Sequence, residues 1–465
     1  MKHEGFEQSY NSFLGTTNYL ECYYIRGGNS GQPNPDYPVR FVQEATILQN
    51  CRDWNHDDRI IIFTTEDAEK ANWKDGGQRD RDTGEPLDGL RTRLQWLKQR
   101  GLRASFENRQ IPEGHSEEQV WQIFQRILDF LKPNDEVVFD VTHAFRSIPL
   151  LAIVVLQYAK IMKKVSLKGI YYGAFEALGP MVREIPIEDR RAPIVDLTSL
   201  NSLMDWCLAT DRFLETGDVK SAGALARAGV QGILTETRGK DEAAQTIRTL
   251  GASLSRFTTM LSTCRGPDIT DTATGLKQWI EKCQHLDLPS PFRPLFNMIQ
   301  NRLEFFNGDT LKHGLAAVRW CADHNLIQQG FTILEEILFT YVISGIGGNP
   351  MESKLRETVS QAFKILSLKI VNREECWKSP ACDSPELTMK MIGFIQRHGD
   401  LYKTVESLRQ LRNDINHAGF CDDYTPIEKA DRFAKQLNRL IAQTQGSIDL
   451  HLEDIGQMNT RATPD

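Results

Sequence analysis

Glu136-Val-Val-Phe-Asp-Val-Thr-His-Ala-Phe-Arg-Ser-Ile-Pro149 decides how the first half of this chain is read. Val137 to Val141 is a short apolar, β-branched run behind the turn former Pro133-Asn134-Asp135, which predicts a buried strand. Ile148 to Met162 is apolar and of helix length, with Ser147 placed to cap its start and Pro149 tolerable in its first turn. Between strand and helix, Asp140, Thr142, His143 and Arg146 put four polar side chains within seven residues. In open α/β folds, ligands bind at the carboxyl edge of the parallel sheet, in strand-to-helix turns such as this. The backbone N–H groups of a helix start favour anions. The stretch therefore predicts the floor of a site for a phosphate-bearing ligand. The plainer alternative is a polar connection, with Asp140 as turn former, Thr142 as local cap and Arg146 as a solvated charge.

The pattern repeats on the N-terminal side. Ser12-Phe-Leu-Gly-Thr-Thr-Asn-Tyr19 is an apolar strand end that runs into Gly15 and then into Thr16, Thr17 and Asn18. Glycine allows a tight turn and close approach of the backbone to a ligand. Arg59 to Phe63 is a second strand with a hydroxyl-rich exit, Thr64-Thr65. Val39 to Cys51, Asp88 to Arg100 and Ser116 to Lys132 read as helices, the last opening with the capping pair Ser116 and Gln119. Leu102 to Gln110 and Leu167 to Gly173 read as further strands. Strands alternating with helices up to about Leu197 predict a mostly parallel, doubly wound sheet whose strand exits converge on one edge. The glycine-rich loops of dehydrogenases and P-loop nucleotidases are missing from the sequence.

At 465 residues the chain exceeds one ordinary core. Its 40% hydrophobic and 25% charged residues fit a globular protein. The longest apolar run, Ile148 to Met162, is too short to span a bilayer, and the polar Met1 to Tyr10 predicts no secretory leader. Nine cysteines without a C-x-x-C pair suit reduced thiols in a cytoplasmic setting, and no metal site is expected. A net charge of −7 argues against a general nucleic-acid coat.

From Ser199 onward strand patterns vanish and helical repeats follow one another to about Thr444. Gly266-Pro267 and Pro289-Ser-Pro291 are the expected internal joints, and the tail after Gly446 is expected to fray. Within this half, Val405, Leu408, Leu411 and Ile415 form an apolar stripe flanked by Arg412-Asn-Asp-Ile-Asn-His417. Arg412 and His417 stand about 140° apart on an ideal helix at ~100° per residue. They meet only through a bent terminus near Ala418-Gly419 or through a second subunit. RNA is cleaved without metal when its 2′-OH attacks the neighbouring phosphate. That reaction needs a proton shuttle, which histidine supplies, and a fixed cation, for which arginine's fork is suited. Asn413 is placed to position either group. Read without further context, the same residues describe a surface helix with an incidental Arg and a His at its negative end.

Leu411-Arg-Asn-Asp-Ile-Asn-His417 resembles the R-x(4–6)-H signature of HEPN ribonucleases, including the Asn after the Arg. Phe13 to Tyr19 and Asp140 to Pro149 resemble the two main sequence blocks of the CRISPR-associated Rossmann-fold (CARF) sensor domain. Trp320 to Glu336, with His324, Gln328 and Glu335-Glu336, resembles another HEPN helix. The order resembles the stand-alone accessory ribonucleases of type III CRISPR systems. That resemblance implies an α/β sensor over residues 1–198, a middle helical segment over 199–290 and a HEPN bundle over 291–465. It implies a cyclic oligoadenylate activator, with cyclic tetra-adenylate favoured, and no cofactor or metal. The activator cleft would be lined by Gly15, Thr16, Thr17, Asn18, Thr64, Thr65, Asp140, Thr142, His143, Ala144, Phe145, Arg146 and Ser147. Arg412, Asn413 and His417 from two chains would form a composite site that cleaves single-stranded RNA. A homodimer or a higher oligomer is expected, since a symmetric ring suits a twofold cleft. No membrane association is expected.

Two other readings compete. One is a nucleotide-sensing transcription regulator whose helical half binds DNA, against which Arg227 to Arg248 shows only scattered basic residues. The other has the sensor slowly cleaving its own activator through His143 and Arg146.

Overall fold

A computed structural model describes residues 7–27, 35–143, 148–286, 292–306, 310–418 and 428–461. The chain divides into two units, Met1–Ser202 and Leu203–Asp465. The first contains β1 (Gln8–Leu14), β2 (Tyr23–Arg26), α1 (Val42–Asn50), β3 (Arg59–Thr64) and the short turn α2 (Glu66–Ala68). It continues with α3 (Leu90–Gln99), β4 (Ser105–Gln110), α4 (Glu117–Phe130), β5 (Glu136–Asp140), α5 (Ile148–Met162), β6 (Ser166–Gly173) and β7 (Arg191–Asp196).

The strands form one sheet in the order β2-β7-β6-β5-β1-β3-β4. All neighbours run parallel except β6 and β7. Alternation along each central strand explains why helices cover both faces. Tyr10, Leu14, Ile60, Ile62 and Val138 pack with Val42, Leu90 and Leu94 of α1 and α3. Phe13, Ile61, Phe63, Val137 and Phe139 pack with Ile123, Ile127, Val155 and Ala159 of α4 and α5. β1 pairs with β3 on one side and β5 on the other, so the winding direction reverses between β1 and β5. Leu14 aligns with Thr64, and Ser12 with Asp140, which brings the three strand exits to one edge.

Ser116 caps α4 as expected, its hydroxyl accepting from the Gln119 N–H at 3.2 Å. The return bond differs: the Gln119 side chain accepts from the His115 N–H at 2.9 Å. β2 and β7 are additions to the predicted sheet.

The second unit, within the described residues, is helical. α6 (Thr198–Thr216) leads into it, followed by α7 (Lys220–Glu236), α8 (Glu242–Ser262), α9 (Gly266–Gln284), α10 (Phe292–Arg302) and α11 (Thr310–Asp323). Then come α12 (Ile327–Gly345), α13 (Ser353–Ser367), α14 (Pro385–Arg397), α15 (Gly399–His417) and α16 (Phe433–Arg461). Gly266-Pro267 marks the joint between α8 and α9 from its far side: the connection is Thr263 to Arg265, and Gly266 opens α9. Pro267 sits in the first turn of α9, where its missing N–H costs nothing. Pro289-Ser-Pro291 lies outside the described residues. The backbone of α16 continues helical beyond Gly446 to Arg461. The segments 199–290 and 291–465 share one apolar core, which runs from Trp206 and Phe257 through Trp320 and Phe331 to Ile448. No described helix is long and apolar enough to cross a membrane.

Candidate functional sites

At the sheet edge, Asp140 ends β5 with its carboxylate fully enclosed. Oδ1 accepts from the Thr142 N–H at 3.0 Å and the Thr142 hydroxyl at 2.6 Å. Oδ2 accepts from the hydroxyls of Tyr10 at 2.9 Å and Thr46 at 2.8 Å. The Thr142 hydroxyl in turn accepts from the Gly173 N–H at 2.8 Å, tying the ends of β5 and β6 together. Burial raises the Asp140 pKa, and these hydrogen bonds pull it partly back. Asp140 and Thr142 therefore shape the turn from within.

The β1 exit is held from behind. The Asn72 amide donates to the carbonyls of Gly15 at 2.8 Å and Thr17 at 2.9 Å. Gln78 donates to the Thr16 carbonyl at 3.1 Å, and Asn18 donates to the Arg79 carbonyl at 3.3 Å. Buried Arg40 orients Asn72 by donating to its Oδ1 at 3.0 Å. With its carbonyls engaged inward, the loop leaves the Thr16 and Thr17 side chains exposed. Thr64 and Thr65 are buried: Thr64 accepts from Asn108 at 3.4 Å, and Thr65 caps α2 by accepting from the Ala68 N–H at 3.3 Å.

The two exits meet across the β1/β5 boundary. The Gly15 N–H donates to the Tyr19 hydroxyl at 3.0 Å, and the Tyr19 ring lies 4.1 Å from the His143 ring. The enclosed Nε2 of His143 has no hydrogen-bond partner. Burial lowers the His143 pKa to about 3, so the imidazole is neutral at physiological pH. It suits stacking and hydrogen bonding better than proton cycling near pH 7. Ala144, Phe145, Arg146 and Ser147 lie outside the described residues.

A Cβ at Gly15 would stand 2.7 Å from Tyr19 Oη, and the Tyr19 ring is wedged between Phe41 at 5.7 Å and His143 at 4.1 Å. Gly15→Ala is expected to displace that hydroxyl and cost about 1–3 kcal/mol by overpacking. Tyr19→Phe, which loses only the hydrogen bond, should cost about 1 kcal/mol. Thermal unfolding reads both, and an unchanged midpoint for Gly15→Ala would refute the packing argument. A separate cleft of about 690 Å³, lined by Tyr37, Leu48, Arg52, Arg100 and Arg103 among others, lies by the strands' amino ends, away from this cradle.

In the helical unit, Arg412, Asn413 and His417 occupy the last two turns of α15, which ends at Ala418 in the left-handed conformation (φ 51°). Asn413 and His417 are exposed. The helix stays regular through His417, so Arg412 and His417 of one chain point apart, as expected for a straight helix. Arg412 donates through one amino group to Glu335 Oε2 from α12. Arg409 Nε donates to the other carboxylate oxygen at 2.9 Å. Gln328 donates to Asn416 at 3.2 Å, fixing the end of α15 against the start of α12. Glu336 pairs with Arg356 instead. His324 stacks on Trp320 at 4.4 Å with Nδ1 2.8 Å from the Trp320 carbonyl, a packing role. Among the described residues, no group of three or more His, Cys, Asp or Glu is placed to hold a metal ion.

Tyr10, Thr46, Asn72 and Arg409 escape a reading of the sequence. Their partners lie 36 to 130 residues away or act through backbone atoms, and no local spacing marks them.

Comparison with known proteins bears on the sheet edge. Residues 46–176 match the family described as CRISPR system endoribonuclease Csx1, CARF domain. The chain is also 32% identical over 111 residues to CRISPR-associated protein MJ1674 of Methanocaldococcus jannaschii, a match covering 23% of this chain and 16% of that protein. With β3, β5 and the Asp140 turn inside the matched residues, the N-terminal unit is similar to the CARF domain of CRISPR-associated proteins.

Proposed function

We propose that the chain is a cyclic-oligoadenylate-activated, metal-independent endoribonuclease that cleaves single-stranded RNA in type III CRISPR defence. The observation that carries this reading is the cradle at the β1/β5 reversal. It lies where α/β sheets take ligands, and its β5 side falls in the segment that matches a Csx1 CARF domain. Thr16, Thr17, Asn18 and His143 would touch the activator. Asp140, Thr142, Thr64 and Thr65 would hold the turns in shape.

A symmetric ring calls for a symmetric cleft, and α5 offers the surface for one. Leu150, Val154, Tyr158 and Ile161 are 43% to 72% exposed along one stripe of a helix whose opposite face is buried. Trp121 extends that stripe through Phe124, which lies 5.4 Å from Tyr158. A contiguous apolar patch of this kind marks a contact surface, and a second copy meets it by twofold symmetry.

In the helical unit, the 2′-OH attacks the adjacent phosphorus as the P–O5′ bond breaks, leaving a 2′,3′-cyclic phosphate and a 5′-OH. His417 moves the proton, Arg412 holds the developing charge and Asn413 orients the groups. Because Arg412 and His417 diverge on one helix, each would act with its counterpart from a second chain.

The test is cleavage of labelled single-stranded RNA by the full chain with a panel of cyclic oligoadenylates, with and without a chelator. Cleavage only with a cyclic activator, insensitive to chelation and giving cyclic-phosphate ends, is expected. No cleavage with any ring, or loss of cleavage on chelation, would refute the proposal.

A further inference from the structure

Glu335 is 4% exposed, yet it is charged and sits among the apolar side chains of α12. A buried carboxylate costs several kcal/mol to desolvate, and a well-packed apolar residue usually serves stability as well or better. Its two oxygens are divided between two arginines of α15: Oε1 takes the Arg409 Nε–H at 2.9 Å and Oε2 takes an Arg412 amino group.

The two arginines differ in surroundings. Arg409 donates to Ser360 Oγ at 2.9 Å and lies 5.5 Å and 5.6 Å from the ring centres of Phe339 and Phe363, which stack on each other at 6.1 Å. Its guanidinium is held by a carboxylate, a hydroxyl and two aromatic rings. The Arg412 side chain is 29% exposed, and its enclosed Nε has no partner. One carboxylate against two guanidiniums leaves one net positive charge. Both arginines touch solvent, 22% for the Arg409 side chain and 29% for Arg412, but Arg412 is the one with no aromatic or hydroxyl partner beyond the carboxylate among the described residues.

We infer that Glu335 is a positioning residue for the phosphate-holding cation: anchored by the Phe-clamped Arg409, it aims the Arg412 guanidinium. The inference rests on the reading of Arg412 as the cleavage-site cation. A guanidinium on a flexible stem loses rotamer freedom each time it meets a phosphate. Holding one edge against a buried carboxylate removes that loss before substrate arrives, and misplacement by about 1 Å is enough to cost ~10²-fold in rate.

The experiment is single-turnover RNA cleavage by the activated full chain, comparing Glu335→Gln, Arg412→Ala and the double variant. Glu335→Gln is expected to lower kcat by about 10- to 100-fold, with KM for RNA little changed. Added to Arg412→Ala it should cost nothing more, because its effect runs through that guanidinium. A purely structural role would slow both backgrounds alike. Should Glu335→Gln fold poorly by leaving Arg409 unpaired, Glu335→Leu with Arg409→Leu removes both buried charges; it should keep the melting temperature and still lose kcat. Glu335→Gln at or above the parental rate, with Arg412→Ala inactive, would overturn the positioning role and leave the cleavage site standing. Parental activity in Arg412→Ala would overturn both.

Discussion

His417→Ala is expected to lower activated RNA cleavage by about 10²–10⁴-fold, the range for losing a general acid–base group. The fold and activator binding should be untouched. The structure makes the expectation of intact folding strong: His417 is the last residue of α15, its side chain is exposed, and the helix is stopped by Ala418 in the left-handed region. The apolar stripe that seats α15, with Leu401, Val405, Leu408 and Leu411 buried, ends before it. A companion variant, Arg412→Ala, should lose ~10²–10³-fold if the guanidinium holds the developing charge. Mixing the two inactive variants gives a sharper outcome. If each site takes Arg412 from one chain and His417 from the other, heterodimers regain one intact site, and activity reappears on mixing. Recovery to about half the parental rate per heterodimer is the upper bound. Parental cleavage by His417→Ala alone would remove the proton-shuttle assignment.

How much of this was legible beforehand depends on the range of the interactions. α5 runs from Ile148 to Met162, as its apolar length predicts, because local composition decides a helix of that kind. β3 is buried at every position but the first, and three consecutive isoleucines announce it. β2 and β7 left no such mark. β2 is four residues of mixed polarity, and β7 carries Pro193, which argues against a strand inside a sheet. β7 pairs there because β2 meets it in parallel, Ile25 beside Pro193, a long-range fact. Arg412 and His417 were visible as a motif. Glu335 was named only as part of a similar helix, and Arg409 not at all, since their contact spans 74 residues.

Asp140→Ala is expected to destabilise the N-terminal unit by about 3–5 kcal/mol, whereas Asp140→Asn should cost less than about 1 kcal/mol. The alanine variant leaves the N–H and hydroxyl of Thr142 without their acceptor, removes the oxygen that Tyr10 and Thr46 share, and opens a void in a closed interior, each at roughly 1–3 kcal/mol with partial relaxation. The asparagine fits because hydroxyls rotate. Its carbonyl oxygen can keep the Thr142 N–H, and its amide can donate to Tyr10 and Thr46. The Thr46 hydroxyl then turns to the Val42 carbonyl, already 3.2 Å away, and the Tyr10 hydroxyl to Thr46 Oγ1 at 2.6 Å. The pH dependence follows from the raised pKa of Asp140. A carboxyl whose folded pKa exceeds its unfolded value gives its full stabilisation below the unfolded value, and loses it as pH rises through the folded one. The stability of Asp140→Asn relative to the parent should therefore climb as pH increases from about 4, the ordinary carboxyl value, before levelling off. Chemical denaturation across that range measures it, and a flat difference would mean that burial leaves the ionisation of Asp140 unaltered. Because Asp140 also holds Thr142 beside His143, Asp140→Ala should weaken activator binding even at temperatures where the unit stays folded. Asp140→Asn should not, which separates a residue that shapes the cradle from one that touches the ligand.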